Sequence, residues 1–160
     1  MRKLATSPKL IIVCGLPGSG KTTHAKALEE KLKAVRFSPD EWMNALLIDL
    51  YDETRREKIE NFQWALGQKL LRLGLTIIIE WGTWGRSERD VLRSGAQALG
   101  ATVELHYLSA PMDVLLDRIQ RRGTETPSIE RDAVLQWSEM FQVPTDEEKA
   151  LFDAFVMLGN

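Results

Sequence analysis

The sequence is short of the residues that staple small proteins together. Its 160 residues hold one cysteine, Cys14, which excludes an intrachain disulfide and any multi-cysteine zinc site. No apolar run approaches the roughly 18 residues that a membrane-spanning helix needs. A basic excess is missing as well: 21 Lys and Arg stand against 23 Asp and Glu, a net charge of −2. Wholesale electrostatic capture of nucleic acid is excluded on that ground, although a local basic groove is not. Internal repeats and low-complexity tracts are absent too. The first residues, MRKLATSPKLIIVCG, put basic residues before apolar ones, as a secretory leader does, but the apolar run from Leu10 to Cys14 is too short for one. A cytoplasmic protein is expected.

What is present is an ordinary globular composition, 44% hydrophobic and 28% charged, in a chain whose length suits one domain, residues 1–160. Short apolar runs alternate with longer helical patterns, the signature of βαβ units. Strands are predicted at 9–14, 34–37, 76–80, 102–108 and 154–158. Helices are predicted at 21–33, 41–50, 52–73, 86–99, from Pro111 to about 121, at 129–141 and at 146–152. The helix over 52–73 places Ile59, Phe62, Leu66, Leu70 and Leu73 on one stripe. The fold class is therefore α/β: three layers around a five-stranded, mostly parallel sheet.

One segment carries chemistry outright. Gly15-Leu16-Pro17-Gly18-Ser19-Gly20-Lys21-Thr22 matches G-x-x-x-x-G-K-[ST], and it lies between an apolar strand and a helix, the context the motif requires. Glycines let bare backbone approach a polyphosphate, and successive N–H groups form an anion nest at a helix N-terminus. Lys21 supplies a mobile positive charge for the β- and γ-phosphates. The Thr22 hydroxyl is a hard oxygen ligand suited to Mg²⁺. Residues 15–22, with Thr23 next in line, are the candidate ATP site. A guanine reader of the N-K-x-D type is not found after the fourth strand, where His106-Tyr107-Leu108-Ser109 stands instead.

With GLPGSGKTT, SPDEW, EWGTW and QRRGTE together, the chain resembles the small P-loop kinases related to polynucleotide 5′-kinase domains, chloramphenicol phosphotransferase and zeta-toxin-like kinases. The resemblance runs from about residue 9 to residue 158. It implies a P-loop NTPase fold of the nucleoside-monophosphate-kinase kind, ATP and Mg²⁺ as cofactors, and phosphorylation of a hydroxyl. It implies that Asp40, after the second strand, takes the proton of the attacking hydroxyl. It also implies that Arg118 and Arg122, in an R-x-x-x-R-G pattern at the start of a lid over about 118–128, grip the transferred phosphate. Glu80 closes the third strand where the family more often carries Asp, and is expected to orient magnesium water. The segment Phe141-Gln142-Val143-Pro144-Thr145-Asp146-Glu147-Glu148 resembles a family segment to which no chemical role is attached.

Each residue also has a plainer reading. Asp40 suits a helix N-terminus, where the dipole favours an acid by about 0.3–1 kcal/mol, but a carboxylate at a strand C-terminus also lies on the ligand edge of an open α/β sheet. Arg118, Arg121 and Arg122 suit a solvated helix C-terminus. Arg118 and Arg122, four apart, share a face, and Arg121 points elsewhere. Glu80 closes a buried strand and needs a partner; if the third strand neighbours the first, it faces Thr22. Arg86 and Arg89 read equally as substrate contacts or as a solvated helix start. Trp42, Trp81 and Trp84 lie just past strand ends and read as pocket walls or as packing. His24 reads as a bystander, His106 as structural, and Cys14 as a small hydrophobe. The expected acceptor is a small molecule with a hydroxyl group. A nucleotide or polynucleotide kinase, or an NTP-binding regulatory ATPase without a phosphoryl acceptor, is the alternative.

Overall fold

The computed structural model describes residues 7–123 and 129–159. Five strands form one sheet: β1 (Lys9–Cys14), β2 (Val35–Phe37), β3 (Thr76–Gly82), β4 (Thr102–Leu108) and β5 (Ala154–Leu158). Their order is β2-β3-β1-β4-β5, and every pair is parallel. The C-terminal ends of all five strands therefore share one edge, where open α/β sheets bind ligands.

Seven helices accompany them among the described residues: α1 (Lys21–Leu32), α2 (Pro39–Ala45), α3 (Glu53–Arg72), α4 (Arg86–Ala98), α5 (Met112–Arg122), α6 (Arg131–Met140) and α7 (Asp146–Lys149). β1 and β3 are sandwiched, so they read as continuous apolar runs rather than alternating ones. Leu10, Ile12, Ile77, Ile79, Val103 and Leu105 face one core; Ile11, Val13 and Ile78 face the other, beneath Ala25 of α1. A third, smaller cluster joins α5 and α6 through Leu115, Ile119 and Val134. Among the described residues, no helix is long and apolar enough to cross a membrane.

Two expectations are corrected here. The helix predicted over about 41–50, with its start read at Ser38-Pro39-Asp40, spans Pro39–Ala45: Ser38 caps it by accepting the Glu41 N–H, but it ends sooner than expected because Leu47, at φ +60°, turns the chain out of it. The stripe on α3 is also displaced. Phe62 and Leu73 are 65% and 66% exposed, and the buried residues are Ile59, Gln63, Gly67 and Leu71. Gln63 goes inward because Trp81 Nε1 donates to its Oε1 at 2.9 Å. Gly67 lets α3 close on the sheet, where a Cβ would stand 2.9 Å from Ile77 Cδ1. The part of the expected lid over 124–128, with Pro127, lies outside the described residues.

Candidate active site

The phosphate loop joins β1 to α1 and folds around its glycines. Gly18 sits at φ +82°, in the left-handed region. At Gly15 a Cβ would meet the Leu108 carbonyl at 2.5 Å, so only a bare backbone fits. Lys21 Nζ donates to the Leu16 carbonyl at 3.1 Å and lies folded over the loop. Burial lowers its pKa from 10.5 to about 8, against the pull of Glu80 and Asp40 and with the push of Arg122.

Thr22 and Glu80 meet at its far end. β3 pairs with β1, which brings the Glu80 carboxylate against the Thr22 hydroxyl, and that hydroxyl donates to Glu80 Oε1. Glu80 is buried, 7% exposed, and its other oxygen accepts from Arg36 Nη1 at 2.9 Å. A hydroxyl and a carboxylate side by side at the loop's edge are hard oxygen donors of the type Mg²⁺ takes. Among the described residues no group of three or more His, Cys, Asp or Glu could hold a metal. A cation here would therefore depend on these two residues and on a phosphate.

Arg36 was not read from the sequence. It projects from β2 and binds three carboxylates: Glu29 of α1 at 2.9 Å, Glu80 of β3, and both oxygens of Glu41 of α2 at 2.7 and 2.8 Å. The available signal was a lone charge inside a three-residue strand, Val35-Arg36-Phe37.

Asp40 lies in the first turn of α2 at the C-terminal end of β2, exposed as an acceptor-side group must be. Its carboxylate accepts from Arg56 of α3, whose guanidinium also donates to the Leu50 carbonyl at 3.2 Å. No local pattern marked Arg56. Nearby on α3, burial raises the Glu60 carboxyl from 4.5 to about 7; Arg56 opposes this, and Glu88, Glu53 and Asp40 reinforce it.

The arginines of α5 separate as their spacing implies. Arg118 Nη1 donates to the Gly18 carbonyl at 3.1 Å. Arg122 sits one turn on, within electrostatic range of Lys21. Arg121 pairs with Asp117 on the outer surface. Arg89, read as a candidate rim residue, is instead wholly buried and paired with Glu148 at 2.7 Å. It cannot touch a substrate. Arg86 is paired with Asp90 and Glu147. Trp42, Trp81 and Trp84 pack against the core. A cavity of about 220 Å³ beside the loop is walled by Leu16, Ser19, Tyr107, Met112, Phe141 and Val143, and the tryptophans are not among its walls. His24 and His106 hydrogen-bond each other at 2.8 Å, and His106 also bonds Glu104. Burial and the facing His106 lower the His24 pKa. Burial pushes the Cys14 thiol up to about 12, which makes it inert at neutral pH.

A parallel sheet in this order, a phosphate loop on β1 and an acid at the end of β2 define the class of small P-loop kinases. The chain belongs to the AAA_33 family, described as an AAA domain, which matches residues 10–144. It is 28% identical over 159 residues to a probable gluconokinase of Schizosaccharomyces pombe, covering 94% of this chain and 81% of that one. It is 26% identical over 138 residues to the L-seryl-tRNA(Sec) kinase of Methanococcus maripaludis, covering 84% of this chain and 53% of that one. The structure of Chaetomium thermophilum Kti12 in complex with ADP-AlF3 superposes with a TM-score of 0.71 at 16% identity, covering 94% and 88% of the two chains.

Proposed function

We propose that this protein transfers the γ-phosphate of ATP to a hydroxyl group of a small molecule. The observation that supports the reading is geometric: the Thr22 hydroxyl at the start of α1 donates to Glu80 of β3, and Arg118 of α5 donates to the Gly18 carbonyl of the phosphate loop. Asp40 follows the C-terminal end of β2, on the same edge of the sheet.

Lys21 and the loop N–H groups hold the β- and γ-phosphates. Thr22 and Glu80 would hold Mg²⁺, whose charge would offset the negative charge of the phosphates. Asp40 accepts the proton of the acceptor hydroxyl. The freed oxygen bonds to the γ-phosphorus as the bond to the ADP oxygen breaks. Arg56 holds the Asp40 carboxylate in place. Arg118 and Arg122 neutralise the migrating group, a role that suits planar, permanently charged guanidinium. The similarity to a probable gluconokinase makes sugar acids the first acceptors to try, and the slightly negative chain favours a small molecule over a polynucleotide.

The test follows ADP release by the full chain with MgATP, with and without a panel of hydroxyl compounds that includes gluconate. Acceptor-dependent ADP release is expected. Asp40→Asn should lower kcat by about 10²-fold or more, the contribution of a general base, and leave ATP affinity unchanged. Full-rate transfer by Asp40→Asn would remove Asp40 from the mechanism. ATP loss indifferent to every acceptor would favour a regulatory ATPase.

A further inference from the structure

We propose that Arg89 and Glu148 are positioning residues for phosphoryl transfer: their buried ion pair locks the Thr83–Trp84 turn against the phosphate loop. The role in transfer rests on the kinase reading above; the locking itself does not.

Arg89 on α4 is 0% exposed and Glu148 on α7 is 1% exposed. All five guanidinium N–H directions are used. Nε and Nη2 donate to the two Glu148 oxygens at 2.7 and 2.9 Å. Nη1 donates to the carbonyls of Thr83 and Trp84 at 2.8 and 3.3 Å, and Nη2 also donates to that of Gln142 at 2.7 Å. The guanidinium carbon lies 5.8 Å from the centre of the Phe141 ring. Such a pair is a poor way to add stability, because well-packed apolar residues of similar volume often serve as well or better. What it does add is a fixed geometry for three carbonyls on two separate segments.

The segment it fixes is under strain. Thr83 is β-branched yet sits at φ +42°, an outlier for its type. Its hydroxyl is buried with no hydrogen-bond partner. Departures of this kind persist only where surroundings over-determine them. Gln142 reinforces the hold: its N–H donates to the Trp84 carbonyl at 2.8 Å, and its Oε1 accepts the Arg86 N–H at 2.6 Å.

The turn touches the chemistry on its inner side. It begins three residues after Glu80, and just before it the Gly82 carbonyl accepts from the Gly15 N–H at 3.3 Å. A slackened turn would shift both the start of the phosphate loop and the strand end that holds Glu80. This assigns a task to the segment 141–148, for which the sequence offered none.

The test compares the full-length wild type with the double variant Arg89→Met/Glu148→Leu, which replaces the pair by apolar groups, and with Glu148→Gln. The readouts are amide exchange at residues 82–85 and kcat and KM with gluconate as the acceptor probe. The double variant should remain folded, exchange at 82–85 about tenfold faster, and lose about tenfold or more in kcat/KM, since small misplacements near the chemistry are that costly. Glu148→Gln, which keeps the shape and one acceptor oxygen, should fall in between; if the double variant does not fold, Glu148→Gln is judged by the same readouts. Wild-type exchange at 82–85 in a folded variant overturns the proposal, and so does wild-type kcat and KM. A wild-type chain that phosphorylates no hydroxyl strikes the kinase reading and with it the role in transfer, and the exchange result still decides the locking.

Discussion

Replacing Arg36 by Met tests whether the site's framework rests on one guanidinium. Arg36 is 6% exposed in its side chain, while its partners Glu29, Glu41 and Glu80 are 42%, 48% and 4% exposed. The two outer pairs are largely solvated and are worth about 0–1 kcal/mol each. The inner pair sets the magnitude. Without Arg36, Glu80 is left buried with the Thr22 hydroxyl as the partner seen in the structure. Breaking a buried pair from one side costs about 3–5 kcal/mol, and we take about 3 because Thr22 remains. With a urea m-value of about 2 kcal/mol/M, the midpoint should fall by about 1.5 M. The double variant Arg36→Met/Glu80→Leu should recover most of that loss, since no charge is then left behind. The assay is urea unfolding followed by far-UV circular dichroism, with m-values compared to confirm a common transition. A loss below about 1 kcal/mol in Arg36→Met, or a double variant as unstable as the single, would refute this account of the pair.

Two further predictions concern protons. Lys21 titrates near 8 in the free protein because it is buried, while a bound triphosphate would keep it charged. ATP binding should therefore take up little proton at pH 7 and close to one at pH 9, with affinity falling up to about tenfold per pH unit above 8. Calorimetry in buffers of different ionisation enthalpy measures this, and no uptake at pH 9 would contradict it. Glu60, raised to about 7 by burial, binds more protons folded than unfolded between pH 4.5 and 7, so its contribution to stability declines as pH rises through that window. Glu60→Gln should gain about 1–2 kcal/mol relative to wild type at pH 8 and almost nothing at pH 4.5, after allowance for its partial exposure. Equal differences at both pH values in urea unfolding would sink this.

The phosphate loop was legible because its function is local: eight consecutive residues supply the amides, the charge and the hydroxyl. β1 and β3 were legible because burial on both faces leaves continuous apolar runs such as Thr76-Ile77-Ile78-Ile79. Asp40 and Glu80 could be placed at the ligand edge because Asp40 comes three residues after β2 and Glu80 lies at the end of the apolar run of β3, a strand that continues to Gly82. What resisted reading was pairing at a distance. Arg36 reaches Glu80 across 44 positions and Arg89 reaches Glu148 across 59. An arginine in a sequence carries no mark of whether it meets water or a carboxylate. The stripe on α3 failed for a related reason: Gln63 turned inward, its Oε1 accepting from Trp81 while its Nε2 is buried without a hydrogen-bond partner, and periodicity in apolar residues cannot register a polar group taken inside.

The exposed connection between α2 and α3 has a practical use. Leu46 and Leu47 are 62% and 93% exposed, and Tyr51 is 53% exposed, so little is packed there that an exchange of sequence would undo. Loops of this kind tolerate insertion. Foreign segments grafted over 46–51 would change the surroundings of Arg56, which donates to the Leu50 carbonyl and to Asp40, while the Arg36 ion pairs, rooted in β2, stay untouched. Retargeting this enzyme scaffold to other hydroxyl compounds would best begin at that seam.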